Sequence, residues 1–167
     1  QLDRVALSKL KLPLRQEPDL ESWMAFLHRL RAPEDQVEIG LVGKYVELPD
    51  AYKSIQEALI HAATQQHLQV NIRLIHSEDL NADNLTRKLG KLQGLIVAPG
   101  FGERGYEGKL LAVRHARQNG LPFFGICLGM QMAVVEFSRN GAGLEDAQST
   151  EFDADTATPV ISLMESQ

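Results

Sequence analysis

Phe124-Gly125-Ile126-Cys127-Leu128-Gly129-Met130-Gln131 is the stretch on which the fold turns. A short apolar run, Leu121 to Ile126, passes without a spacer into a helical pattern, Leu128 to Phe137, and Gly-x-Cys-x-Gly sits at the junction. A strand running straight into a helix around a nucleophilic side chain is the cysteine form of a nucleophile elbow. Such a bend forces strained backbone at the cysteine and leaves no room for side chains beside it, which accounts for Gly125 and Gly129. The helix that follows aims its N-terminus at the sulfur and favours thiolate over thiol, and the N–H of Leu128 is placed to stabilise an oxyanion. A free cysteine is ordinarily a small buried hydrophobe; the elbow context is what argues for chemistry here.

Upstream of the elbow, strand and helix patterns alternate. Val37 to Val42 reads as a strand ending at Gly43, and Ala51 to His67 as a helix with Ile55, Leu59, Ile60 and Ala63 on one face. Pro49-Asp50 precedes that helix, with Asp50 the expected N-cap. Leu68 to Ile75 is a second strand, Leu80 to Leu89 a helix stopped by Gly90, Leu95 to Ala98 a buried third strand, and Tyr106 to Gln118 a helix stopped by Gly120. The order β-α-β-α-β-α-β-α predicts an α/β fold, a mainly parallel sheet with helices on both faces. The glycine-rich loop Ala98 to Gly105 then lies at the carboxyl edge of the sheet beside the elbow. Gly100, Gly102 and Gly105 permit positive φ and close backbone approach, so the N–H of Gly100 or Phe101 is a second candidate oxyanion donor. The loop lacks the Gly-Lys-Ser/Thr ending of a Walker loop.

Residues 1–36 have a different texture. Leu10, Leu12, Pro13 and Leu14 form an apolar patch, Pro18 can open a helix, and Leu20, Trp23, Met24, Leu27 and Leu30 recur at helical spacing. Two readings stand: an interdomain arm with an amphipathic helix, or a helix docked on its own domain. After Gly141 the pattern is weak, with the start of a strand at Thr158 to Ile161.

The chain has 167 residues, enough for one domain with a real core. Seventeen Lys and Arg against 22 Asp and Glu leave no basic excess for coating nucleic acid. No apolar run is long enough to cross a membrane, and the start of the chain lacks a secretion signal. A single cysteine forbids an internal disulfide or a cysteine zinc cluster and suits a reducing, cytoplasmic setting; no metal site is read.

The pair Pro99-Gly100-Phe101-Gly102 and Gly125-Ile126-Cys127-Leu128-Gly129-Met130-Gln131 resembles the class I (triad) glutamine amidotransferases. Val42-Gly43-Lys44-Tyr45-Val46-Glu47-Leu48-Pro49-Asp50-Ala51-Tyr52-Lys53-Ser54 looks like the start of the amidotransferase domain of the CTP synthase family, and Gly102 to Lys109 is similar to that family's loop. The resemblance covers nearly the whole chain and implies a flavodoxin-like sheet. Residues 1–36 would be the linker from a synthase domain, and 37–167 the N-terminal part of the amidotransferase domain. Cys127 would attack the side-chain amide of L-glutamine, form a γ-glutamyl thioester and release ammonia. Gly100 and the N–H of Leu128 would hold the oxyanion. Gly100, Phe101, Gln131 and Glu151 would line the glutamine site, Gln131 and Glu151 near its α-carboxylate and α-amino groups. Lys44, Tyr45, Arg104 and Glu107 would face the synthase domain or an allosteric GTP, with solvated charges as the alternative. The ammonia would serve ATP-dependent amination of UTP to CTP. ATP and Mg²⁺ would belong to the synthase half of the same polypeptide, and the assembly would be a homotetramer; no cofactor is expected in this chain itself.

There are two departures from the family pattern. The family loop commonly reads Pro-Gly-Gly-Phe-Gly, whereas Pro99 is followed by a single glycine before Phe101. A His-x-Glu segment and an arginine that contacts glutamine lie well after the family's cysteine, and neither is found after Cys127. All five histidines, His28, His61, His67, His76 and His115, precede Cys127 and read as surface or packing residues. Loss of a triad base costs on the order of 10⁴ to 10⁶ in rate. Residues 1–167 alone are therefore expected to have little glutaminase activity. The rival readings are an amidotransferase serving another synthase, a thiol hydrolase with the same elbow, and a non-enzymatic domain with a relict elbow.

Overall fold

An apolar segment such as residues 95–98, with no polar face, needs cover on both sides, and helices packed on the two faces of a parallel sheet supply it. The computed structural model describes residues 2–13, 18–48 and 50–162; Leu14 of the expected apolar patch and Pro49 lie outside these. The elements run α1 (Leu2–Lys9), α2 (Glu21–Arg31), β1 (Asp35–Gly43), α3 (Lys53–Gln65), β2 (Leu68–His76), a single 3₁₀ turn (Ser77–Asp79), α4 (Leu85–Leu89), β3 (Gly94–Val97), α5 (Tyr106–Gln118), β4 (Phe123–Gly125), α6 (Leu128–Asn140), β5 (Ala147–Ser149) and β6 (Thr158–Ile161).

The main sheet has the order β2-β1-β3-β4, all parallel, with Leu41 opposite Leu74 and Ile96, and Ile96 opposite Phe124. Strand alternation divides its side chains between two cores. On one face Val42, Ile75, Leu95 and Val97 pack with Leu110, Val113 and Ala116 of α5 and with Met132 and Val135 of α6. On the other, Leu41, Ile96 and Ala98 pack with Tyr52 and with Ile55 and Leu59 of α3. The expected α/β architecture, with helices on both faces, is the one observed. The chain order reverses between β1 and β3, so the loops after these strands meet at a switch point on the carboxyl edge.

The differences from expectation are local. Leu2–Lys9 is helical, which the sequence reading did not call. Helix α2 begins at Glu21, after an N-cap at Leu20, so Pro18 does not open it. Asp50 does not cap α3: the N-cap is Tyr52, with no side-chain cap bond. The Tyr52 ring is needed elsewhere. It is buried, and its Oη accepts the N–H groups of Lys44 (3.1 Å) and Tyr45 (3.3 Å). The expected helix over residues 80–89 shrinks to α4, because the Asn81 side chain accepts the N–H groups of Asp83 and Asn84 (3.1 and 3.2 Å) and folds residues 81–84 into a turn. The tail forms a two-stranded parallel sheet, β5 with β6, packed against α6.

Helix α2 meets α3 in part. Phe26 stands edge-on to His61 at 5.2 Å between ring centroids, and Arg29 donates to the side-chain amide oxygen of Gln65 at 3.2 Å. Its other face leaves Leu20, Trp23, Met24 and Leu30 exposed.

Candidate functional site

The elbow forms because three short-range constraints coincide at one turn. Ile126 donates its N–H to the Val97 carbonyl (3.0 Å), which ties the end of β4 to β3. A Cβ on Gly129 would lie 2.0 Å from that same carbonyl oxygen, and one on Gly125 would lie 2.5 Å from the Gly129 backbone. Only glycine fits at either position. Between them Cys127 is forced to φ 52°, ψ −110°, a conformation that costs a non-glycine residue about 1–3 kcal/mol. The strain is offset by the packing of α6, whose Leu128, Met132 and Val135 are buried. Cys127 itself is exposed at the first turn of this 13-residue helix.

The loop after β3 lies beside it. A Cβ on Gly100 would sit 3.9 Å from the Leu128 side chain. Among the described residues no acceptor takes the N–H groups of Gly100, Phe101 or Leu128, so these donors remain available at the site. Gly102 and Gly105 adopt φ 70° and 74° as expected, but Gly100 does not lie in the left-handed region. It is needed for a different reason: a Cβ there would press against Lys44 Cε at 3.2 Å and Lys109 Nζ at 3.3 Å.

Those two lysines organise the loop from beneath. Lys44, expected at an interdomain or GTP-facing surface, is instead buried. Its ammonium donates to the Phe101 carbonyl and, at 3.2 Å, to that of Gly102. Lys109 has no exposed surface and donates to the Ala98 carbonyl at 2.9 Å. Burial, and then the Lys44 charge, push its amine down to about 8, while nearby Cys127 pulls the other way. Because a trans peptide points its carbonyl and N–H in opposite directions, Phe101 turns its oxygen inward to Lys44 and the next N–H, that of Gly102, outward. That N–H donates to Glu151 at 3.2 Å. Glu151 is therefore brought to the same loop from 49 residues away.

The remaining expected residues divide. Gln131 is half-buried at the close of the first turn of α6, and among the described residues its buried side-chain carbonyl oxygen has no hydrogen-bond partner. Phe101 is exposed. Arg104 and Tyr45 share the loop's outer end: the guanidinium lies 5.6 Å from the Tyr45 ring centre, pairs with Glu78 at 2.9 Å and donates to the Lys44 carbonyl at 3.4 Å. Glu107 is not with them; it lines a separate cavity of about 460 Å³ with Arg114, Arg139 and Glu145. Of the histidines, His61 packs on Phe26, His67 lies 3.3 Å from Glu34, and His76 lies 3.2 Å from Glu47. Burial lowers the His115 pKa. No described group of three or more His, Cys, Asp or Glu can hold a metal ion.

Lys109 was missed as a site residue, although a signal existed. Lys109, Ala112, Val113 and Ala116 fall at i, i+3, i+4 and i+7, so the lysine occupies the buried stripe of α5.

Residues 47–162 match the family model described as glutamine amidotransferase class-I. The CTP synthase of Cytophaga hutchinsonii is 63% identical over 166 residues, 99% of this chain and 31% of that protein. That of Methanocaldococcus jannaschii is 51% identical over 172 residues, 99% of this chain and 32% of that protein. The solved glutaminase domain of Trypanosoma brucei CTPS, with bound acivicin, superposes with a TM-score of 0.73 at 38% identity, covering 78% of this chain and 51% of that one. The chain thus spans just under a third of the length of these CTP synthases. With the elbow, the adjoining loop and a family match over more than half its length, the chain belongs to the class-I glutamine amidotransferase family.

Proposed function

We propose that this chain is the glutaminase part of a CTP synthase, supplying ammonia for ATP-dependent amination of UTP. One observation carries the reading: an exposed cysteine in left-handed backbone at the head of a helix, beside a loop whose Gly100 and Phe101 N–H groups no described acceptor takes. The high identity to CTP synthases along the whole chain supports the choice among amidotransferases.

The Cys127 thiolate attacks the side-chain amide carbon of glutamine. The oxygen of the tetrahedral adduct takes hydrogen bonds from the N–H groups of Gly100 and Leu128, which no described acceptor occupies. The carbon–nitrogen bond breaks, the nitrogen leaves as ammonia with an added proton, and a γ-glutamyl thioester remains. Water then cleaves the thioester to glutamate and restores the thiol. Gln131 and Glu151 serve the α-carboxylate and α-amino ends of the substrate, an amide donor for the anion and a carboxylate for the cation. In the family the proton transfers belong to a histidine in a His-x-Glu segment.

The arm at residues 1–36 joins the domain to the synthase half, and the exposed face of α2 suits such a contact. Arg104 stacked near Tyr45 is the part of this surface suited to a purine nucleotide such as GTP. Lys44 is not, since its ammonium is occupied within the loop. No described helix is long and apolar enough to cross a membrane; a cytoplasmic setting and a homotetramer belong to the same proposal.

The test is Cys127→Ala in the full-length polypeptide. Glutamine-dependent CTP formation falls by at least about 10⁴-fold while ammonia-dependent formation is retained. Persistence of the glutamine-dependent rate would overturn the proposal.

A further inference from the structure

Glu151 stands on an exposed turn that its own strand does little to hold. The turn follows β5, whose three residues form a two-stranded sheet with β6, and such a pair is marginal by itself. The ladder also slips in register at Gln148 and Ser149, and Pro159, opposite Gln148, has no N–H to give. Yet the Glu151 carboxylate reaches the Gly102 N–H at 3.2 Å. The support comes from the head of α5. Tyr106 is buried and donates its hydroxyl to the Gln148 side-chain amide oxygen at 2.6 Å. That oxygen has a second lone pair, and it accepts the Ser149 N–H at 2.9 Å. Ser149 is buried in turn, and its Oγ accepts the Glu151 N–H at 3.2 Å. The Tyr106 ring lies against Phe152, 4.7 Å between centroids, so it braces the chain on the far side of Glu151 as well. Arg139 of α6 ties down the start of β5 through the Ala147 carbonyl at 2.7 Å.

We infer that Tyr106 is a positioning residue for Glu151: its hydroxyl, acting through Gln148 and Ser149, sets where that carboxylate stands over the glycine-rich loop. Tyr106 opens α5 directly after that loop. The loop, the head of the helix and the turn therefore close a ring, joined at Gly102 and Glu151 and again at Tyr106 and Gln148. A long acidic side chain on an open turn would otherwise sample many rotamers, and each would meet a substrate ammonium in a different place. The inference rests on the proposed reading that Glu151 meets the α-amino group of glutamine. It adds that affinity for that end of the substrate is set from α5, by a buried hydroxyl acting at a distance through two neighbours.

Kinetics of the full-length polypeptide test this. Tyr106→Phe removes the hydroxyl and keeps the ring against Phe152. The KM for glutamine in CTP formation is expected to rise roughly three- to tenfold, while kcat stays within about twofold. Gln148→Met removes the acceptor and should give the same rise, and the two substitutions together should give no more than either alone. An unchanged KM, or a fall in kcat without a rise in KM, would overturn the inference. A second arm separates positioning from general support of the fold. Glutamine binding is measured by calorimetry in the Cys127→Ala protein, which cannot turn the ligand over. There Tyr106→Phe should weaken binding by the same factor, but not once Glu151→Gln has removed the charge that it positions. Equal weakening with and without the Glu151 carboxylate would show a purely structural role and overturn the inference. A glutamine-dependent rate that survives Cys127→Ala would retire the proposed function. An unchanged KM in Tyr106→Phe, with Cys127 still required, would retire this inference alone.

Discussion

Helix α5 carries a cation at each end, and the two ends are finished differently. Near its C-terminus Arg117 makes two 2.8 Å hydrogen bonds to Glu136 of α6, whose carboxylate is buried. Near its N-terminus Lys109 is more deeply buried, yet among the described residues it has one carbonyl and no carboxylate in hydrogen-bond or ion-pair contact. The first arrangement satisfies both charges and ties two helices together. The second leaves an ammonium under-compensated next to Gly100, in the loop beside the elbow. Local rules of stability are met at the end away from the elbow and relaxed beside it, as expected where a structure holds chemistry rather than only shape.

Substitutions at the two ends should separate these roles. Gly129→Ala strikes the elbow, where the new methyl would meet the Val97 backbone oxygen at 2.0 Å and neither atom belongs to a flexible chain. A loss of about 4 kcal/mol is expected in urea unfolding; a loss below about 1 kcal/mol would mean that the bend yields easily. At the other end, Arg117→Ala leaves the buried Glu136 carboxylate the Asn140 amide but no cation, and should cost about 3 kcal/mol, the low end of the range for a broken buried pair because Asn140 remains and Arg117 itself reaches solvent. Changing both to leucine should recover most of that loss, since the pair's own net contribution is small.

A smaller effect concerns Lys109 and pH. Its amine titrates near 8 in the folded protein against 10.5 for an ordinary lysine. Between these values the unfolded chain binds the additional proton, so stability rises with pH through that window. Relative to Lys109→Met, the unsubstituted protein should gain about 2 kcal/mol between pH 7.5 and 10, measured as urea unfolding at each pH. A flat difference would mean that folding does not depress the amine. The smallest effect is expected at Asp50, which caps nothing: Asp50→Ala should change stability by less than about 0.5 kcal/mol.

Much of the architecture was legible because its signals are local. The approximate limits of α5 were legible, since an apolar stripe and a following Gly120 at φ 61° mark them without help from distant contacts. The elbow was legible for a similar reason: the two glycines, the cysteine and the change of period lie within a few residues. Asp50 misled because capping propensity yields when a neighbouring side chain, here Tyr52, has a buried role across the loop. The pairing of β5 with β6 was invisible because it joins two short segments with little pattern of their own.

The sequence by itself determined the order of strands and helices between β1 and α6, the parallel sheet that follows from it, and a cysteine raised on a bend. Each depends on steric and periodic constraints that act over one or two turns of chain. Only the tertiary structure decided that Lys44 and Lys109 meet on either side of Gly100, that Glu151 reaches the loop, and that Glu107 does not join them. A charged residue on a helix or loop is soluble in either direction as far as its own neighbours are concerned. Whether it faces water or a carbonyl is settled by the elements that close over it.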